Sequence, residues 1–327
     1  MLPLPPVVAC PPPAQTDISV ELISTGGVPG DWKQIVDSGR SGPVELPVWV
    51  GVIRHPERGI TLVDAGLGER NRSGEEPGFP FSLFDLNVPA GATAMEQLGK
   101  VPERVLLTHI HYDHVGGLWD LPGAEVWLSQ ADWEAAATET AAFPTRALGD
   151  IVRFHPVDLS GVGAKQVLGR PAVDVLGDGT IWYLSLPGHT PGATGVLVRA
   201  EGAPWLFIGD TAWVDDHLGD AQRPWLTRRL VDANQRDLRE SLAWARTLKA
   251  SCPELVVVAG HEPSLGRDGR PKGRPAHRAG VEDPVGARRP QRTRLRRPPR
   301  RPRAGPQGPR PGHGRPEGRV RRRQGPA

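Results

Sequence analysis

Six consecutive residues, His109-Ile110-His111-Tyr112-Asp113-His114, restrict this chain more than any other feature. They follow a strand-like VLLT, so whatever fold forms must deliver a strand end into a cluster of imidazoles and carboxylates. In extended geometry side chains i and i+2 point the same way, and His109 and His111 are therefore expected to share one metal as the strand ends. Asp113 and His114, in the turn beyond, are expected to face a second centre. Gly116 and Gly117 let neighbouring backbone pack tightly behind them. Imidazole nitrogen and carboxylate oxygen suit zinc first, and iron, manganese or cobalt are compatible with the same donors. The isolated His55, His155 and His217 lack such company and read as surface or structurally satisfied histidines.

Three later positions share one context, a β-like run that ends in a glycine followed by a metal-competent residue. They are His189 in SLPGHTPG, Asp210 in LFIGDTA and His261 in VVVAGHEP. Such a pattern gathers ligands at one edge of a sheet structure. Short runs rich in Val, Ile, Leu, Trp and Thr predict strands near 18–24, 46–53, 60–64, 104–109, 124–129, 180–186, 193–199, 204–210 and 254–261. Helical spacing is visible at 131–142 and at 232–250, where Asp232 is the expected cap and Leu238, Leu242, Ala245 and Leu248 share a face. Sheets layered against helices make an α/β sandwich.

Charge divides the chain. Residues 1–263 carry 20 basic and 33 acidic side chains, whereas 264–327 carry 20 basic and 4 acidic ones, with 19 Arg and 12 Pro among them. The segment 264–327 is too poor in apolar residues to supply a core, so three regions are expected: a Pro-rich start at 1–17, a folded body at 18–263 and an Arg/Pro/Gly-rich tail at 264–327 without a folded domain. A polybasic arm, a solvated tail and the translation of a shifted reading frame all fit that composition. Without interleaved aromatics or a binding module, it gives no reason to expect a specific nucleic-acid partner. No apolar run reaches the length of a membrane span. Two cysteines, Cys10 and Cys252, exclude a disulfide-dense scaffold and a Cys-based zinc cluster. With no basic region before the apolar start, they favour a cytoplasmic protein over an exported or lipidated one.

The combination and order of HIHYDH, PGHTPG, IGD and the late AGH resemble the metallo-β-lactamase superfamily over roughly 18–263. That resemblance implies an αββα sandwich with its active site at the edge of two mixed sheets, and two divalent metal ions. By position, His109, His111 and His189 resemble ligands of the first ion, and Asp113, His114 and His261 ligands of the second. Asp210 resembles the carboxylate bridging them, and Asp64 an acid beneath the site that orients ligands. Two ions held close together acidify a shared water, so that hydroxide is available near neutral pH, with Asp113 orienting it or taking its proton.

Within the superfamily the chain looks like the N-acyl-homoserine lactonase branch, given its long insertion at 68–98, its bridging-type Asp210 and the size of its body. A small-molecule lactone or carboxylic ester is the expected substrate, for a monomer or homodimer. Phosphoester, thioester or β-lactam hydrolysis, and a catalytically silent metal-binding or interaction protein, are the alternatives. Phe79, Phe81 and Phe84 in the insertion are candidate pocket residues, or simply the packing of a lid. Trp213 is a further candidate and a departure from the branch, which often carries a tyrosine there; indole offers only an N–H donor.

Overall fold

The computed structural model describes residues 10–13, 17–76, 85–137 and 148–272. Among the described residues twelve strands form two six-stranded sheets. The first runs β1 (Ser19–Asp31), β2 (Pro43–His55), β3 (Gly59–Val63), β4 (Arg104–Leu106), β5 (Glu125–Ser129) and β6 (Arg153–Val157) in sequence order. The second runs in reverse order, from β12 (Val256–Val258) through β11 (Pro204–Phe207), β10 (Thr194–Arg199), β9 (Ile181–Ser185) and β8 (Arg170–Asp174) to β7 (Lys165–Val167). Both sheets are mixed: β3 to β6 pair in parallel, as do β11 and β12, and the other pairs are antiparallel. Eight described α-helices are used below: α1 (Trp32–Ile35), α2 (Glu69–Arg72), α3 (Ala94–Leu98), α4 (Tyr112–Val115), α5 (Gln130–Ala135), α6 (Asp215–Leu218), α7 (Trp225–Val231) and α8 (Gln235–Ser251).

The near-continuous apolar runs of the sequence are explained by burial on both faces of each sheet. Successive strand residues point to opposite faces, so Leu106 enters the layer between the sheets while Val105 and Leu107 pack outward under Leu118 and Leu121. In the second sheet Val196, Phe207 and Val258 face the first sheet, and Leu197, Leu206 and Val257 face Ala245 and Leu248 of α8. Three apolar layers result, and the architecture is the expected αββα sandwich.

α8 begins three residues later than the sequence spacing suggests. Asn234 accepts from the backbone N–H groups of Arg236 and Asp237, and Asp232 turns inward instead of capping. α5 spans Gln130–Ala135 where a helix over 131–142 is expected from the sequence, and 138–142 fall outside the described residues. Strands β6, β7 and β8 carry too few consecutive apolar residues to have been read from sequence. Ordered packing also extends beyond both ends of the expected body. Leu265 is buried between the sheets, and Leu22 N–H donates to Arg267 O at 2.8 Å, before the Arg-rich composition takes over.

At the other end, Cys10 forms a disulfide with Cys252 at the end of α8, and Arg199 donates to Pro12 O at 3.2 Å. The cysteine pair therefore gives no support to a reducing compartment, contrary to the expectation from cysteine count. Among the described residues no helix is long and apolar enough to cross a membrane.

The bridge closes a separation of 242 residues and should stabilise the chain by about 2–4 kcal/mol, chiefly by restricting the unfolded state. Reduction is expected to lower Tm by roughly 5–15 °C in a thermal melt. Cys10→Ser should show the same loss and no further response to reductant; an unchanged Tm in both would refute a stabilising bridge.

Candidate metal centre

Strand ends place every donor. β4 stops at Leu106 and the chain continues as an irregular segment through His109 to His111, the residue that precedes α4, so His109 and His111 converge from a loop and not from a continuing strand. Asp113 and His114 follow in the single turn of α4. His189 lies after β9, Asp210 after β11 and His261 after β12, all at the same edge. The tight packing expected behind the motif is present: a Cβ on Gly117 would come within 2.2 Å of Ala65 O. Gly260 is equally constrained, since a Cβ there would meet Asp210 Oδ1 at 2.3 Å.

The side chains form two groups. One atom from each of His109, His111, His189 and Asp210 lies within 4.8 Å of the others, and the same holds for Asp113, His114 and His261. Asp210 spans the two groups. Its Oδ2 faces His189 Nε2 at 3.2 Å and His109 Nε2 at 3.8 Å, while its Oδ1 faces His261 Nε2 at 3.2 Å and His114 Nε2 at 3.3 Å. Asp113 Oδ2 lies 3.4 Å from His261 Nε2 and 3.8 Å from His114 Nε2. All seven residues that the sequence singled out as ligands are thus brought together.

The imidazoles are oriented from behind, so that a chosen nitrogen points inward. Asp64 accepts the Thr108 N–H on Oδ1 at 2.7 Å and the Thr108 hydroxyl on Oδ2 at 2.9 Å, and Oδ2 also meets His114 Nδ1 at 2.8 Å. It sits beneath the site at φ +62°, a left-handed conformation that Asp tolerates better than most residues. His261 Nδ1 lies 3.0 Å from Pro47 O, and His189 Nδ1 lies 2.9 Å from Asp232 Oδ1. His111 turns its Nδ1 inward, 2.9 Å from His189 Nε2.

Two of these supports escaped sequence reading. Asp232 looked like a helix cap and instead holds His189 and the buried Arg223. Asp132, in an Ala-rich helix, accepts the Thr190 hydroxyl at 2.9 Å and the Gly192 N–H at 2.7 Å, pinning the turn that carries His189. The one available signal was the polar PGHTPG turn itself, whose hydroxyl and amides need acceptors once buried.

Electrostatics sharpen the picture. Burial holds the His109 and His111 imidazoles well below their usual pKa, with neighbouring imidazoles adding to the effect, and so keeps both neutral. Burial acts the same way on His114, but Asp64, Asp113 and Asp210 outweigh it and hold that pKa well above its usual value. Asp210 is pushed up by burial and down by His261, His114 and His109, and the histidines win, leaving it ionised. Asp64, Asp113, Asp210 and Asp232 are all buried here, and the buried His109 Nε2, His114 Nε2 and Asp210 Oδ1 have no hydrogen-bond partner among the described residues. Buried carboxylates and unpaired imidazole nitrogens facing one another, all N and O donors, are the surroundings a pair of divalent cations requires. The residues present fit two such ions.

Trp213 donates its indole N–H to Asp210 Oδ2 at 2.7 Å, so its single donor is already committed. Tyr183 is buried and its hydroxyl donates to Leu107 O. Tyr112 stands on α4, where burial, followed by the charges of Asp113 and Asp210, pushes its phenol up and keeps it protonated. In the insertion, Phe79, Phe81 and Phe84 lie outside the described residues, while Leu86 packs against Val48, Leu67 and Val88.

Comparison with known proteins agrees with the fold. Residues 43–261 match the family model of the metallo-beta-lactamase superfamily. The chain is 28% identical over 263 residues to the N-acyl homoserine lactonase AttM of Azorhizobium caulinodans, covering 76% of this chain and 94% of that protein. A probable metallo-hydrolase of Mycobacterium tuberculosis is 28% identical over 235 residues, 63% of this chain and 72% of that protein. Among solved structures, an N-acyl homoserine lactone hydrolase with the product N-hexanoyl-L-homoserine bound at its catalytic metal centre superposes with a TM-score of 0.60 at 18% identity, over 76% of this chain and 95% of that one. Its likeness is one of fold. With the superfamily pattern running through 43–261 and two donor groups meeting at the sheet edge, the chain belongs to the metallo-β-lactamase superfamily and is a metal-dependent hydrolase.

Proposed function

We propose that this enzyme opens lactones or cleaves related carboxylic esters of small molecules, using two zinc ions. The observation that carries the dinuclear part is Asp210, whose two oxygens face different donor groups. In this reading His109, His111, His189 and Asp210 would hold one ion, and Asp113, His114 and His261, with Asp210, would hold the other. The lactonase relatives support the substrate class. Two ions held there would lower the pKa of water at the centre and polarise the ester carbonyl.

The chain's own groups do the rest. Asp113 is the more accessible of the two donor carboxylates, its side chain 11% exposed against 5% for Asp210, and it takes the proton of the attacking water. Oxygen adds to the carbonyl carbon, the ester C–O bond breaks, and the departing oxygen takes the proton that Asp113 received. Trp213 cannot supply that proton as a phenol would. Its indole holds Asp210 Oδ2 in place, so in this chain position 213 serves the bridging carboxylate.

Three experiments test this reading. Elemental analysis of the full chain should find about two transition-metal ions per molecule; a ceiling of one after reconstitution would sink the dinuclear assignment. Asp64→Asn keeps a side chain suited to φ +62° but offers His114 Nδ1 a donor in place of an acceptor. Affinity for the ion held by His114 should fall roughly 10–100-fold in a chelator competition, with the fold retained by circular dichroism. Given a panel of γ- and δ-lactones, aryl esters, phosphodiesters, a thioester and a β-lactam, the enzyme should prefer lactones. Turnover should be lost in His109→Ala and Asp210→Ala. A preference for phosphodiesters would overturn the substrate class without touching the metal assignment.

A further inference from the structure

The long hairpin of β1 and β2 ends against the segment that follows Asp210, and one imidazole stands at their junction. Trp32, Ile35, Val36 and Leu46, from the end of the hairpin, form an apolar cluster with Val214, and Trp213 packs against it. Polar contacts fasten the same two parts. Asp37 N–H donates to Gln222 O at 2.9 Å, Gln222 N–H to Asp37 Oδ1 at 2.8 Å, and the Thr227 hydroxyl to Gln34 O at 2.8 Å. His217, on α6, lies buried between them. Its Nδ1 accepts the Trp213 backbone N–H at 3.2 Å, and its Nε2 lies 2.9 Å from Ile35 O. A carbonyl oxygen can only accept, so Nε2 carries the proton and Nδ1 keeps its lone pair. One neutral tautomer thus satisfies both contacts, and imidazolium would forfeit the first. Burial, reinforced by Arg223, holds this pKa down to about 4, which keeps the ring neutral at ordinary pH.

Trp213 carries that constraint to the donors. Each of its hydrogen-bonding groups is engaged: the backbone N–H with His217, the carbonyl oxygen with the His261 N–H at 2.7 Å, and the indole N–H with Asp210 Oδ2 at 2.7 Å. The guanidinium carbon of Arg223 lies 4.4 Å from the centre of the indole, over its face. Two of the seven donors therefore depend on one residue, and the backbone of that residue is held by an imidazole that also grips the hairpin.

We infer that His217 is a positioning residue for the bridging carboxylate, acting through Trp213 and tying the hairpin end to the metal centre. Without the Nδ1 acceptor the Trp213 N–H loses its partner, and the backbone that aims the indole at Asp210 Oδ2 is no longer fixed. The link to Ile35 O does different work, since it holds the hairpin and touches neither Trp213 nor Asp210. The two nitrogens of one ring therefore have separable effects. This inference rests on the reading of Asp210 as a shared metal ligand and does not depend on the lactone reading.

The test compares the full chain with His217→Asn and His217→Gln by zinc affinity in a chelator competition. Asn sets its side-chain oxygen where Nδ1 stands and keeps an acceptor for the Trp213 N–H; Gln sets its amide nitrogen where Nε2 stands and keeps only the link to Ile35 O. Affinity should stay within about twofold in His217→Asn and fall roughly tenfold in His217→Gln, the low end of what losing a support behind a metal ligand costs. Equal losses in both, following Tm in a thermal melt, would mean a role in folding alone and would overturn the inference. Trp213→Phe removes the indole donor and leaves position 217 untouched. It should itself cost about tenfold, and His217→Gln added to it should cost little more. Unchanged affinity in Trp213→Phe, or additive losses in the double variant, would also overturn the inference. The metal count of the unaltered chain is read separately: a ceiling of one ion would sink the two-ion assignment and leave these affinity ratios readable, because Asp210 faces both donor groups.

Discussion

A carboxylate buried among four imidazole nitrogens is the contact on which this molecule turns. Asp210 could not remain ionised in such a place without positive charge on both sides, and it keeps histidine nitrogens near each oxygen. The surroundings are arranged to sustain that demand. Gly260 leaves room for Oδ1, Trp213 donates to Oδ2, and Arg223 holds the backbone oxygen of the same residue. Asp64 and Asp232 act one step further out, fixing which nitrogen of His114 and His189 turns inward.

The donors were legible in the sequence because their chemistry is rare and their context repeats. Imidazoles and carboxylates at strand ends, preceded by glycine, have few other uses, and all seven positions meet at one edge. The strands were legible wherever both faces are buried, as in VLL at 105–107 or VVV at 256–258, since burial on two sides demands an unbroken apolar run. β7, with the sequence KQV and largely exposed side chains, gave no such signal. Its strand state comes from pairing with β8, a long-range hydrogen-bonding partner that no local pattern reveals.

What could not be read were single polar residues with two plausible local roles. Asp232 precedes a helix and has the composition of a cap, yet tertiary demand from His189 and Arg223 outweighs the roughly 1 kcal/mol typical of a cap. Asn234 takes that task two residues later. Cysteines misled in a comparable way. Two of them in a long chain look incidental until the fold brings residue 10 to the end of α8. Trp213 was read as a departure from a proton donor, and its geometry gives it a different occupation.

The donors come from both sheets: four from the segment after β4, and three from the ends of β9, β11 and β12. During synthesis the first four emerge well before their partners, as a histidine-rich loop with no carboxylate to span it. Asp210 and His261 follow only with β11 and β12, so a chain that stopped before them would lack a donor in each of the two groups. Filling both donor groups would therefore require that translation had passed His261 and that the two sheets had docked.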